Sequence, residues 1–191
     1  MLNKLDSIKV AFLDRDGVIN IDYGHVHSTE NFVFIPGVFD ACFELQEAGY
    51  SLIIVTNQSG IGRGLYDEKD FFVLSDWMKR KFLEHRVKIS DIYFCPHHPN
   101  QARFPYRKIC SCRKPEPGML LAAKKKWNID MSNSIMVGDK QSDMVAAMRA
   151  QVGRRILVGT NGYKMPEAVT ECTDTAQNLL EAVNLFLHLT A

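Results

Sequence analysis

The chain has 191 residues, 46% hydrophobic and 24% charged, a composition ordinary for one globular domain. Its 23 Lys and Arg nearly balance 22 Asp and Glu, so the net charge of +1 leaves no electrostatic footprint for nucleic acid or an acidic membrane. No apolar run approaches the ~20 residues of a membrane-spanning helix, and residues 1–6 show no secretory pattern; the expected compartment is the cytoplasm, where thiols stay reduced.

The first predicted element is the apolar run Val10-Ala11-Phe12-Leu13, read as a short buried strand. Asp14-Arg15-Asp16-Gly17 follows it, and Gly17 turns the chain at the strand's carboxyl end, where open parallel sheets bind their ligands. Two carboxylates placed there can divide one job. One holds a metal and attacks; the other carries protons for a leaving group and then for water. Close negative charges repel, so the pair also implies a cation such as Mg²⁺. Alone, Asp-x-Asp is a weak signal, because most such pairs are solvated turn residues.

Residues 38–48 form a helical pattern stopped by Gly49. Residues 51–55 read as a second buried strand, ending in Thr56-Asn57-Gln58-Ser59-Gly60. A hydroxyl, an amide and turn N–H groups at a strand end make a neutral anion cradle, although a capped turn uses the same residues. A longer helix is predicted over 67–86, with Asp67 as its cap and Phe71, Leu74, Trp77, Met78 and Phe82 on one core-facing stripe.

Ile92-Tyr93-Phe94 reads as the third strand, and Cys95-Pro96-His97 follows it. Cys110-Ser111-Cys112 returns further on, so three of the chain's five cysteines fall within one short segment. Cys95, His97, Cys110 and Cys112 make a Cys₃His set suited to a closed tetrahedral structural Zn²⁺. Buried or free thiols are the bland alternative, which this clustering disfavours, and a disulfide is disfavoured in a reducing compartment. The intervening polar, Pro-containing segment looks unable to build a core of its own. Structural zinc, worth roughly 10–16 kcal/mol in finger peptides, is ample to order it. Cys42 lies in a helical pattern and reads as core; no role is assigned to Cys172.

Arg113-Lys114-Pro115 comes next. Pro115 pushes Lys114 toward an extended conformation, so the two basic side chains are expected to point to opposite sides of a loop. If Lys114 serves one phosphate, Arg113 is free for a second, to which its planar fork is suited. A helix is predicted over 117–127, starting with Pro. The strand Ser134-Ile135-Met136-Val137 leads into Gly138-Asp139-Lys140-Gln141-Ser142-Asp143. If a helix begins near Gln141, Asp139 faces the site and Asp143 braces Lys114 or metal-bound water. A helix over 142–151, a fifth strand over 154–158 and a final helix over 175–187 complete the chain. Strand–helix alternation predicts right-handed crossovers and an α/β, doubly wound parallel sheet. Residues 1–191 then form one domain with no separate cap domain. The loop 95–112, inserted near the active site, and residues 22–34 would shape the entrance.

The four strand-end segments, in this order, resemble the four motifs of the haloacid dehalogenase (HAD) phosphatase superfamily over about residues 8–160. The resemblance implies an HAD-like Rossmannoid fold and a Mg²⁺-dependent phosphatase in which Asp14 forms an aspartyl-phosphate. Asp16 would be general acid and then base, and Thr56 and Lys114 would hold the phosphoryl group. Asp14, the Asp16 carbonyl and Asp139 would ligate Mg²⁺.

The zinc-type loop narrows the resemblance. Thr56-Asn57-Gln58-Ser59-Gly60, Cys95-Pro96-His97-His98-Pro99, Cys112-Arg113-Lys114-Pro115, Pro117-Gly118-Met119-Leu120 and Gly138-Asp139-Lys140 are similar to the heptose-bisphosphate phosphatases. Histidinol-phosphatases share the loop but commonly carry Asp in place of Ser59 and Arg in place of Lys140. The heptose family often has Gly-Tyr where this chain has Tyr23-Gly24-His25. The resemblance implies removal of the 7-phosphate of a heptose 1,7-bisphosphate in ADP-heptose and lipopolysaccharide core precursor synthesis. Its implied substrate contacts are Asp22, Tyr23, Gly24, His25, Asn57, Gln58, Ser59, Arg113 and Lys140. The implied cofactors are Mg²⁺ and Zn²⁺, and the implied partner is a small phosphosugar, with no nucleic acid, no membrane and a monomeric state. Two other classes stay open: a nucleic-acid 3′-phosphatase, which the missing basic cluster disfavours, and a zinc-stabilised binding module, which the retained Asp14, Asp16, Thr56, Lys114 and Asp139 disfavour.

Overall fold

A computed structural model describes residues 7–159 and 170–188. Residues 1–6, read above for a secretory pattern, lie outside the described residues. The elements are β1 (Val10–Leu13), α1 (Val38–Glu47), β2 (Ser51–Asn57), α2 (Ser59–Arg63), α3 (Glu68–Glu84), β3 (Ile89–Cys95), α4 (Gly118–Trp127), β4 (Ile135–Gly138), α5 (Gln141–Arg149), β5 (Arg154–Val158), β6 (Asp174–Ala176) and α6 (Leu179–His188).

The strands form one parallel sheet in the order β3-β2-β1-β4-β5-β6. Parallel crossovers lay helices on both faces, which is why β1 and β4 are buried on every residue and read as unbroken apolar runs. One face packs against α1, α3 and α6 through residues such as Leu13, Leu45, Phe82 and Val183. The other packs against α4 and α5 through Phe12, Leu120 and Met144. The strand order reverses direction between β1 and β4. Their carboxyl ends part there, and the crevice is where doubly wound sheets place ligands.

The predicted helical stripe is largely observed: Phe71, Leu74, Met78 and Phe82 are buried in α3, and Trp77 packs edge-on against Phe32. Asp67 caps α3 through a reciprocal box with Asp70. Cys42 is core. Two corrections concern the chain's C-terminal part and the segment after β2. Residues 174–176, expected to lead into or begin the last helix, form the edge strand β6, and α6 starts only at Leu179. A three-residue strand carries too few positions to declare a period of two. The helix α2, five residues long, was not foreseen, because one turn has no amphipathic period.

Candidate active site and metal sites

Asp14 and Asp16 leave β1, Thr56 and Asn57 end β2, Lys114 precedes α4, and Asp139 follows β4. The fold thus brings four distant segments to one crevice. A cavity of ≈ 500 Å³ opens there, lined among others by Asp14, Asp16, Thr56, Arg113, Lys114 and Asp143.

Gly17 makes the turn after β1 with φ +91°, and a Cβ there would collide with the Asp139 carboxylate. Only glycine lets the two strand ends approach this closely. Asp14, Asp139 and Asp143 consequently offer carboxylate oxygens within 4.8 Å of one another. Burial, reinforced by Asp143, Asp139 and Asp16 against the pull of Lys114, pushes Asp14 up to about 7. Burial likewise pushes Asp139 up to about 6. The Asp139 Oδ1 atom is buried with no hydrogen-bond partner. A buried, unpaired carboxylate oxygen among other acids fits a hard cation that prefers oxygen ligands.

Lys114 is 2% exposed, and its Nζ lies 3.0 Å from Asp14 Oδ1 and 2.6 Å from Asp143 Oδ1. It also donates to the Val55 carbonyl at 2.8 Å. Burial alone would lower its pKa, but Asp14 and Asp143 raise it above the ordinary lysine value, so the ammonium stays charged. The expectation that Asp143 braces Lys114 is met: one carboxylate oxygen takes the ammonium and the other accepts the Lys140 N–H at the start of α5.

Asn57 and Gln58, expected to contact substrate, both border the cavity. Their amides are also committed elsewhere. Asn57 donates to the Lys114 carbonyl and accepts from the Lys114 N–H, both at 3.1 Å, and so fixes the lysine backbone. Gln58 Nε2 donates to Asp16 Oδ2 at 2.9 Å and to Thr56 Oγ1 at 2.8 Å, while its oxygen accepts from the Tyr66 hydroxyl. With its Oγ1 accepting from Gln58, Thr56 retains its own O–H to donate into the cavity.

Arg113 and Lys114 do diverge, but not by the strand alternation predicted for them. The Glu116 N–H donates to the Arg113 carbonyl, so the pair sits in a turn. Lys114 runs inward while Arg113 donates to the His97 carbonyl at 3.1 Å and lines the cavity. Asp22, Gly24, His25, Ser59 and Lys140 also line it. Lys140 pairs with Asp22 at 3.1 Å and Asp139 at 3.4 Å. Tyr23 is not brought into this wall; it is 63% exposed. Tyr66 was missed, as was Arg15. Arg15 stood in a quoted motif, but a charged residue between two aspartates reads as solvated.

The second constellation is equally compact. Cys95 Sγ lies 3.2 Å from Cys112 Sγ and 3.6 Å from Cys110 Sγ, and His97 Nδ1 lies 3.3 Å from Cys112 Sγ. These separations are far beyond a disulfide's ~2.05 Å. The sulfur–sulfur distances are somewhat shorter than the ~3.8 Å between thiolates about 2.3 Å from a tetrahedral metal, close enough for one ion to sit among them. Cys172 packs against the core on the α4–α5 face.

Comparison with known proteins agrees with this geometry. An HAD-hydrolase-like family model matches residues 111–182. The chain is 51% identical over 154 residues to the D-glycero-beta-D-manno-heptose-1,7-bisphosphate 7-phosphatase of Yersinia pestis, covering 81% of this chain and 82% of that one. It is 50% identical over 162 residues to the enzyme of the same name from Escherichia coli K12, with 85% of each covered. The chain belongs to the D-glycero-beta-D-manno-heptose-1,7-bisphosphate 7-phosphatase family. A solved D,D-heptose 1,7-bisphosphate phosphatase from B. bronchiseptica, complexed with magnesium and phosphate, shares the fold with a TM-score of 0.84 and 31% identity. That alignment covers 95% of this chain and 99% of the other.

Proposed function

We propose that the protein is a Mg²⁺-dependent phosphatase that removes the 7-phosphate of D-glycero-D-manno-heptose 1,7-bisphosphate through an aspartyl-phosphate on Asp14. The observation that carries this reading is Lys114, buried between Asp14 and Asp143 beside the unpaired Asp139 oxygen. A structural salt bridge would need one acid; this site has three, converging on the switch-point crevice.

Asp14, Asp139 and the Asp16 carbonyl would hold Mg²⁺, with Asp143 beside them. When bound, the ion neutralises charge on the carboxylates and on a phosphoryl oxygen. Asp14 attacks phosphorus; the bond from phosphorus to the sugar oxygen breaks, and that oxygen takes its electron pair and the proton of Asp16. Water then attacks phosphorus, Asp16 takes the water's proton, and the Asp14–phosphorus bond opens. Lys114 and the Thr56 hydroxyl stabilise the phosphoryl oxygens, whose charge grows in the transition state. Arg113, Lys140, Asp22, Gly24, His25 and Ser59 line the space left for the sugar and its second phosphate.

Cys95, His97, Cys110 and Cys112 would hold Zn²⁺, with no open position for chemistry. Bound there, the ion would order residues 95–112 and with them Arg113 and Lys114, which follow directly. Residues 1–191 work as one phosphatase unit whose entrance is this loop. The test is phosphate release, with Mg²⁺ present, from heptose bisphosphate, histidinol phosphate and a 3′-phosphorylated oligonucleotide. The sugar bisphosphate should be hydrolysed with the largest kcat/KM; preference for either of the others overturns the substrate assignment.

A further inference from the structure

Arg15 lies between the two proposed catalytic aspartates and is 1% exposed, yet no step above uses it. Arginine is almost never fully buried unless paired, so its partners are informative. The Arg15 N–H donates to Asp14 Oδ1 at 2.7 Å. Its guanidinium turns onto the next residue, with Nη2 2.8 Å from Asp16 Oδ1 and 2.9 Å from Oδ2, and Nε 3.2 Å from Oδ1. The same Nη2 donates to the Val26 carbonyl at 2.6 Å. Val26 ends the loop whose Asp22, Gly24 and His25 line the cavity. One buried side chain therefore joins the cavity-lining loop to Asp16.

Asp16 has other donors. Asn20 Nδ2 reaches Oδ1 at 3.1 Å and Gln58 Nε2 reaches Oδ2 at 2.9 Å. Each of these contacts reaches a single oxygen. Among these donors Arg15 alone spans both oxygens, and a planar two-point grip fixes the carboxylate plane. That matters because Asp16 lines the cavity, and proton transfer needs its oxygen aligned with the leaving group.

We propose that Arg15 is a positioning residue that sets the Asp16 carboxylate plane by the place of the Val26 segment, so that the loop against the sugar aligns the proton donor. The proposal rests on the acid role given to Asp16 above. Arg15 should then matter most in the first half-reaction, where Asp16 delivers a proton to a poor leaving group.

Arg15→Lys keeps the charge but loses the two-point grip. The experiment compares the single-turnover rate constant for leaving-group release, and its half-saturation concentration, in the native enzyme, Arg15→Lys, Asp16→Asn and the double variant, so that the later water step, in which Asp16 is the base for every ester, does not enter. Each is assayed on heptose bisphosphate, whose leaving group is an alkoxide, and on p-nitrophenyl phosphate, whose leaving group needs little protonation. On the sugar, Arg15→Lys should lower that rate constant by about ten-fold or more with half-saturation little changed; the aryl ester should lose about two-fold at most. Added to Asp16→Asn, it should cost the sugar reaction nothing further. Equal proportional losses on both esters, or additive losses in the double variant, overturn the proposal. If Asp16→Asn itself does not discriminate between the esters, the acid role has failed and this proposal falls with it. Should Arg15→Lys not unfold cooperatively, Arg15→Gln, which keeps one donor arm and no buried charge, carries the same comparison.

Discussion

At the scale of single residues, the site works through a division between charge that moves and charge that stays. Asp14→Asn keeps the side chain's shape and removes the proposed nucleophile. Turnover should collapse while thermal unfolding stays cooperative, and near-native activity in a preparation free of deamidation would rule out the covalent role. Lys114 is held in place by Asn57, Val55, Asp14 and Asp143, so it is preorganised for the phosphoryl group. Lys114→Ala should lower kcat on every ester, by the ~3–4 kcal/mol typical of a lost transition-state donor. Its neighbour should behave differently. Arg113→Ala should reduce kcat/KM for heptose bisphosphate far more than for a phosphate ester with no second anion. An equal loss on both would make Arg113 only a support of the His97 carbonyl it touches.

At the scale of elements, the Cys/His loop and the proposed catalytic lysine are one mechanical unit, because Cys112 is two residues from Lys114. Chelation of the metal, or Cys112→Ser, should lower the melting temperature and kcat together, and metal analysis of the native protein should find about one zinc per chain. A zinc-free protein with full activity and unchanged stability would remove the structural-metal reading. The same elements show what a sequence discloses. The runs forming β1, β2 and β4 were legible because both faces of a parallel sheet are buried, and the acids and cations at their ends were legible by position. The loop ligands were legible as a cluster of rare residues. Edge strand β6 and helix α2 were not, since neither is long enough to express a period. The amides of Asn57 and Gln58 read as substrate contacts because their partners, Lys114 and Asp16, are distant in sequence. Arg15 was hidden because its side chain folds back along its own chain, which no spacing reveals.

At the scale of the whole molecule, the crevice between β1 and β4 gathers acids that the fold must hold close together. In the metal-free protein burial raises Asp14 to about 7 and Asp139 to about 6, above their unfolded values near 3.8. For an acid so raised, the folded state binds protons more tightly than the unfolded chain. The stability these groups contribute is present at low pH and is lost as pH rises from about 4 to 7. Mg²⁺ requires the ionised carboxylates, so its stabilisation should grow over the same window. Thermal melts at pH 5 and pH 8 should show a larger Mg²⁺-induced shift at pH 8, and a larger shift at pH 5 would contradict the assignment. No helix among the described residues is long and apolar enough to cross a membrane. Everything in this architecture converges on one atom-level claim, that phosphorus passes through Asp14. The direct measurement is a rapid acid quench of enzyme turning over heptose bisphosphate labelled in its 7-phosphate, followed by peptide mapping. The account predicts label on the peptide containing Asp14, released by hydroxylamine and absent from Asp14→Asn. Label on any other residue, or steady turnover with no label bound to protein, would contradict it.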